Sequence, residues 1–218
     1  MTSPGSTALD SILRQQMVNS QLRSRGISDE RVLAAMSRVP RHEFAPAQYR
    51  DQAYEDHPLP IGEGQTLSQP YIVALMLEAL DLSPDNKVLE VGTGSGYVTA
   101  LLAEITADVL SIERHASLAN SARALLSAMG YRNVRVVDGD GTRGFPEAAP
   151  YHAIVVSAAA PEIPPVLITQ LAEGGRMIIP VGSDDSQQLQ LIRMEYGQPT
   201  LQCRELCRFV PLISGLET

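Results

Sequence analysis

Apolar residues recur at helical spacing between Leu9 and Arg25, through Ile12, Leu13, Met17, Val18 and Leu22. A stripe of that period buries one face of a helix. Gly26 stands where such a helix stops. A second helix is expected through Val32, Leu33 and Met36, with Ser28 as its N-cap and Pro40 beyond its end. Residues 1–8 read as a loose tail. Residues 40–69 carry Pro, Gly, His and Tyr with little periodicity. An irregular segment of this length is usually functional or disordered, and its apolar and aromatic content argues for order. Pro70 then opens a helix through Ile72, Val73, Met76, Leu77 and Leu80.

Beyond Lys87 the period changes. Short apolar runs (Val88–Val91, Val109–Ile112, Val134–Val137, Ala153–Val156, Met177–Val181) alternate with helical patterns from Tyr97, over Ala116–Met129 and near Val166–Leu171. Such alternation predicts an α/β fold, a doubly wound, Rossmann-like parallel sheet with helices on both faces. Gln188–Met194 and Leu201–Leu212 read as two further strands joined through Glu195-Tyr196-Gly197-Gln198-Pro199. The mostly parallel sheet therefore ends in an antiparallel C-terminal hairpin. A chain of 218 residues suits one domain, with helices at its N-terminus.

Composition narrows the partners. Seventeen Lys and Arg stand against 25 Asp and Glu, a net charge of -8, which disfavours a nucleic-acid binder and suits a protein handling peptides or small molecules. Cys203 and Cys207 would lie ~13 Å apart along an extended segment at ~3.3 Å per residue, too far for a disulfide. They read as core or half-buried thiols in a reducing cytosol. The N-terminal residues lack the apolar core of a signal peptide, and no apolar run is long enough to span a membrane. A cytoplasmic monomer is the expectation.

The strongest motif is Val88-Leu89-Glu90-Val91-Gly92-Thr93-Gly94-Ser95-Gly96-Tyr97, between a strand and a helix. Alternate glycines let the backbone turn tightly and approach a ligand. The third glycine of the dinucleotide fingerprint is missing, since Tyr97 or Thr99 occupies its place, so a pyrophosphate cofactor is disfavoured. Glu90 would repel a diphosphate but suit the cationic amino end of a sulfonium cofactor. Glu113 lies ~20 residues past the loop, where an acid accepts from ribose hydroxyls. Asp138-Gly139-Asp140-Gly141 ends the third strand, with Asp140 as a candidate acceptor for an adenine amino group. Singly, these are ordinary turn and helix-entry residues. In order, at the carboxyl ends of three successive strands, they point to S-adenosylmethionine.

Methyl transfer from a sulfonium to a carboxylate needs no base, because a carboxylate of reference pKa near ~4 is already ionised. It needs alignment, exclusion of water and a few neutral donors. Gly64-Gln65-Thr66-Leu67-Ser68-Gln69-Pro70 can supply them. Ser68 reads equally as helix N-cap and as substrate contact. His42, His57, His115 and His152 are scattered and read as structural or solvated, and no metal signature is present.

The chain resembles the protein-L-isoaspartate (D-aspartate) O-methyltransferases. The matching stretches include Arg31–Phe44, Ala53–Pro60, Gly64–Ala74, Val88–Tyr97, Gly139–Gly144, Ala158–Pro161, Gly174–Gly182 and Arg208–Leu212, running in family order over nearly the whole chain. The resemblance implies a class I methyltransferase fold over residues 1–218, with 1–82 the helical, substrate-side part and 83–218 the cofactor-binding core. It implies that Ser68 hydrogen-bonds the substrate carboxylate. It places Thr66, Leu67, Glu90, Gly92, Gly94, Gly96, Glu113, Asp140 and Gly141 at the cofactor, and Ser157, Ala158 and Pro161 on the peptide side. The implied substrates are isoaspartyl residues of damaged proteins, repaired through a succinimide. Leu67, Thr142, Ser157 and His152 depart from the usual residues, and none removes a group the chemistry needs. Two alternatives are another class I methyltransferase, acting on a small molecule, and a non-catalytic cofactor-binding module. A nicotinamide dehydrogenase is disfavoured by the missing glycine.

Overall fold

The computed structural model describes residues 8–183 and 185–215. The tail expected over residues 1–8 thus lies outside the described residues, except Ala8, which opens the first helix. α1 (Ala8–Met17) continues through a π-helical turn at Val18–Leu22 and a tighter turn at Arg23–Arg25, and Gly26 closes it at φ 95°. α2 spans Glu30–Arg38. Its N-cap is Asp29, whose side chain accepts from the Arg31 N–H, and not the expected Ser28. The Ser28 N–H and hydroxyl are turned instead toward the carboxylate of Glu78.

The irregular segment is ordered. Two 3-10 turns, Arg41–Phe44 and Ala47–Gln52, lead into a hairpin of β1 (Leu59–Gly62) and β2 (Gln65–Leu67). Strands of four and three residues are too short to show alternation, so periodicity missed them. α3 (Pro70–Leu80) follows, with proline in its first turn.

The remaining elements are β3 (Lys87–Val91), α4 (Tyr97–Ile105), β4 (Asp108–Glu113), α5 (Ala116–Ala128), β5 (Val134–Asp138), β6 (Tyr151–Val156), α6 (Pro165–Ile168), β7 (Leu171–Ser183), β8 (Ser186–Glu195) and β9 (Gln198–Cys207). They form a seven-stranded sheet in the order β5-β4-β3-β6-β7-β8-β9. Strands β3 to β7 pair in parallel, and β8 and β9 are antiparallel. The chain runs outward from β3 to β5, then returns to the other side at β6. The crevice at this reversal is where such sheets bind ligands.

Alternate residues of the central strands feed two apolar layers. Val88, Val109, Ala153, Val155 and Ile178 pack with the N-terminal helices, α3 and α4. Leu89, Val91, Leu110, Ile112, Ile154 and Val156 face the other way, toward Leu167 and Leu171. A strand covered on both faces must be apolar throughout, which is why these segments read as continuous runs.

Two expected elements differ. The helix near Val166–Leu171 is the single turn α6, because Leu171 already pairs with Tyr151 at the start of β7. The last strand stops at Cys207 instead of reaching Leu212. Residues 208–212 fold back over the sheet, where the Ala159 N–H donates to the Val210 carbonyl and the Leu212 N–H to that of Ala159. Pro211 itself forms an isolated parallel bridge with Ala159 beyond β6. Cys203 and Cys207 are both free, the first exposed and the second partly buried. Among the described residues no helix is long and apolar enough to cross a membrane, and no His, Cys, Asp and Glu group could hold a metal ion.

Candidate active site

After Val91 the chain turns over Gly92, Gly94 and Gly96, with φ of 92°, 54° and 88°. This left-handed region is open to glycine and strained for other residues. The loop is fastened to β4 from two directions. The Gly92 N–H donates to the Ile112 carbonyl. Glu113, buried at the end of β4, accepts the Gly94 N–H on Oε2 at 2.8 Å and the His115 N–H on Oε1 at 3.0 Å. A carboxylate has about four acceptor sites, so each oxygen retains capacity for a ligand hydroxyl. Gly141, just past β5, lies so near β3 that a Cβ there would come within 2.4 Å of Val91 Cγ1. Only glycine lets the chain pass this close to Val91, whose side chain already fills the space.

One pocket collects these strand ends. Gln65, Thr66, Leu67 and Ser68 form one side, Gly92–Ser95 and Ile112–His115 the base, and Gly141, Ser157 and Ala158 the far side. Val210–Ile213 of the folded-back segment complete it. Of the residues expected at the site, Thr66, Leu67, Ser68, Gly92, Gly94, Glu113, Gly141, Ser157 and Ala158 are brought together. The Val210–Ile213 wall was missed, because its residues read as a continuing strand.

Ser68 does not cap α3. The N-cap position belongs to Gln69, which makes no side-chain capping bond. Among the described residues the Ser68 hydroxyl makes no hydrogen bond, and it lies on the pocket wall. Its donor is available to a ligand.

Four expected residues stand elsewhere. Gly96 is the N-cap of α4, and a Cβ there would meet Ala122 and Leu126 at 3.3 Å, so this glycine serves helix packing. Pro161 is exposed, outside the pocket. Asp140 turns away from it: Oδ1 accepts from the Thr142 N–H and hydroxyl, and Oδ2 from the Gly215 N–H. Burial works to raise its pKa, but these bonds outweigh burial and leave the carboxyl below the ordinary range. Its place in the structure is to tie the C-terminal segment to the β5 loop.

Glu90 lies fully buried behind the pocket. Thr99 Oγ1 donates to its Oε2 at 2.5 Å, and Ser111, which pairs with Thr93 of the glycine loop, lies alongside. Burial pushes its pKa up to about 8, against the Ser111 and Thr99 hydroxyls, with the Glu113 charge adding to the rise. A neutral, buried carboxyl cannot serve as counter-charge to an amino group in the pocket. The folded state holds a proton that the unfolded chain, with a pKa of about 4.3, has released at neutral pH. Stability therefore falls as pH rises between those values, by at most about 1.4 kcal/mol per pH unit. Glu90→Gln lacks this slope. Its melting temperature is expected to gain on that of the unsubstituted protein from about pH 5 to about pH 8. Parallel pH profiles of the two would mean that Glu90 is ionised inside the fold.

The chain is similar to known proteins over nearly its whole length. Residues 13–217 match the family model described as protein-L-isoaspartate(D-aspartate) O-methyltransferase. A protein-L-isoaspartate O-methyltransferase of Koribacter versatilis is 56% identical over 93% of this chain and 91% of its own. One from Methanoculleus marisnigri is 55% identical over 92% and 91%. Among solved structures, a Plasmodium falciparum protein described as a protein-L-isoaspartate O-methyltransferase in complex with S-adenosyl-L-homocysteine superposes with a TM-score of 0.81. It is 27% identical, over 93% of this chain and 99% of that one. The chain belongs to the protein-L-isoaspartate(D-aspartate) O-methyltransferase family.

Proposed function

We propose that the protein transfers a methyl group from S-adenosylmethionine to the free carboxylate of L-isoaspartyl residues in damaged proteins and peptides. The observation that carries this reading is the unpartnered Ser68 hydroxyl facing the Gly92–Gly94 loop and Glu113 across one pocket. The cradle fits a nucleoside cofactor, with Glu113 accepting from ribose hydroxyls and Gly141, Thr66 and Leu67 enclosing it. When bound, S-adenosylmethionine supplies an electrophilic methyl on a sulfonium. Ser68 donates to the substrate carboxylate and orients it, while Ser157 and Ala158 face the peptide. Leu67, Val210 and Leu212 keep water from the approach, which strengthens the attraction between anion and cation. No side chain has to remove a proton, because the carboxylate is already ionised. Esterification turns that carboxylate into a methyl ester, so the following backbone nitrogen can attack its carbonyl carbon and close a succinimide with loss of methanol; hydrolysis of the succinimide returns some normal aspartate. Residues 83–218 act as the cofactor half and 1–82 as the substrate half of one domain, working as a cytoplasmic monomer without nucleic acid.

The test uses two synthetic peptides differing only in isoaspartate against aspartate, incubated with protein and methyl-labelled cofactor. Base-labile label on the isoaspartyl peptide alone is the expected result. No label on either, with the cofactor shown to bind, would leave another substrate or a non-catalytic binding role.

A further inference from the structure

At the end of the sheet away from the active site, Arg176 of β7 and Arg193 of β8 stand directly opposite each other in an antiparallel ladder. Like charges so placed repel and cost stability. Arg176 is compensated: its guanidinium reaches Asp81 at 2.8 Å. Arg193 is not. Among the described residues it has no carboxylate partner, and its Nε is buried without a hydrogen-bond acceptor. Leaving such a donor unpaired carries its full desolvation penalty, and a buried unsatisfied group is a sign of an absent partner.

Arg204 of β9 lines the same groove and commits one N–H to Gln202. Each nearby carboxylate already holds another group, and among the described residues none is paired with Arg193 or Arg204. Glu78 accepts the N–H groups of Ser28 and Asp29. Asp29 holds Arg31, and Asp81 is shared between Arg31 and Arg176. The result is a groove of about 490 Å³ between α3 and the antiparallel strands, sharing no lining residue with the methyl-transfer pocket.

We infer that this groove binds a small phosphate-class oxyanion, held by Arg193 and Arg204 with Arg176 beside them. A planar carboxylate directs its acceptor sites within one plane. A tetrahedral phosphate presents oxygens in several directions and so accepts from guanidinium groups projecting from different strands. Its charge also relieves the Arg176–Arg193 repulsion, which gives the protein itself a reason to retain it.

The test is a calorimetric titration with inorganic phosphate, and separately with pyrophosphate. The protein is first saturated with S-adenosylhomocysteine, so that the active-site pocket does not compete for the probe. Sodium chloride at matched ionic strength is the reference. Saturable one-to-one binding is expected, weakened about tenfold in Arg204→Ala and about a hundredfold in Arg193→Gln with Arg204→Ala, given the strength of charge-assisted hydrogen bonds. Arg204 is exposed, so the single variant stays folded and keeps the test decisive even if the double variant does not. Heats no larger than those of sodium chloride would overturn the inference. So would affinity unchanged in Arg204→Ala. Binding confined to a phosphopeptide, with both free anions silent, would overturn the small-anion site in favour of a protein-docking surface.

Discussion

Glu113→Ala is expected to weaken S-adenosylmethionine binding by about a hundredfold or more. The carboxylate has two tasks in the fold, and both end with the substitution. It holds the Gly94 N–H and the His115 N–H, setting the glycine loop against β4. Its remaining lone pairs are the acceptors we propose for two ribose hydroxyls. A hydrogen bond to a charged group contributes about 1.5–3 kcal/mol, so losing two of them exceeds a hundredfold in affinity. Glu113→Gln keeps one carbonyl oxygen and the side-chain volume, and a loss of only about tenfold is expected from the single missing acceptor. Calorimetry with the cofactor measures both. Affinity unchanged in Glu113→Ala would remove its ribose role and leave a loop brace alone.

Ser68→Ala is expected to lower turnover of an isoaspartyl peptide by about 10–100-fold, the worth of one hydrogen bond to a charged acceptor. Cofactor affinity is expected to change little. Because the hydroxyl caps no helix, the melting temperature should not move; loss of a true N-cap would cost about 1 kcal/mol. Ser68→Thr keeps the donor and should recover part of the rate. Full turnover in Ser68→Ala would leave the carboxylate to be oriented by other groups of the pocket.

The two substitutions also separate what was readable along the chain from what was not. Glu113 could be nominated from local order alone, as the acid that ends the strand after a glycine loop, and the structure sets it in the pocket wall. Asp140 had an equally good local reading, but in the structure both its oxygens accept from protein groups and it does not line the pocket. The partner that claims its Oδ2 is the Gly215 N–H, 75 residues away in the chain. Glu90 shows the same limit. Its position before the loop was evident, but its burial against Thr99 and Ser111 depends on which face of β3 meets which helix. That burial turns the expected anion into a neutral group. Gly96 was grouped with its two neighbours by spacing, whereas α5 packing against it explains its presence.

The sequence by itself determined the architecture and the cofactor class. Period-two and period-3.6 apolar patterns, glycines that alone tolerate positive φ, and prolines that open or end elements all act within a few residues, where chain order and spatial order coincide. Tertiary structure decided which of the nominated groups meet. It left Ser68 without a cap to make, walled the pocket with Val210–Ile213, committed Asp140 elsewhere and set Arg193 opposite Arg176. Most of these depend on contacts that local pattern does not encode, and only the assembled sheet and its packed layers settle where such groups meet.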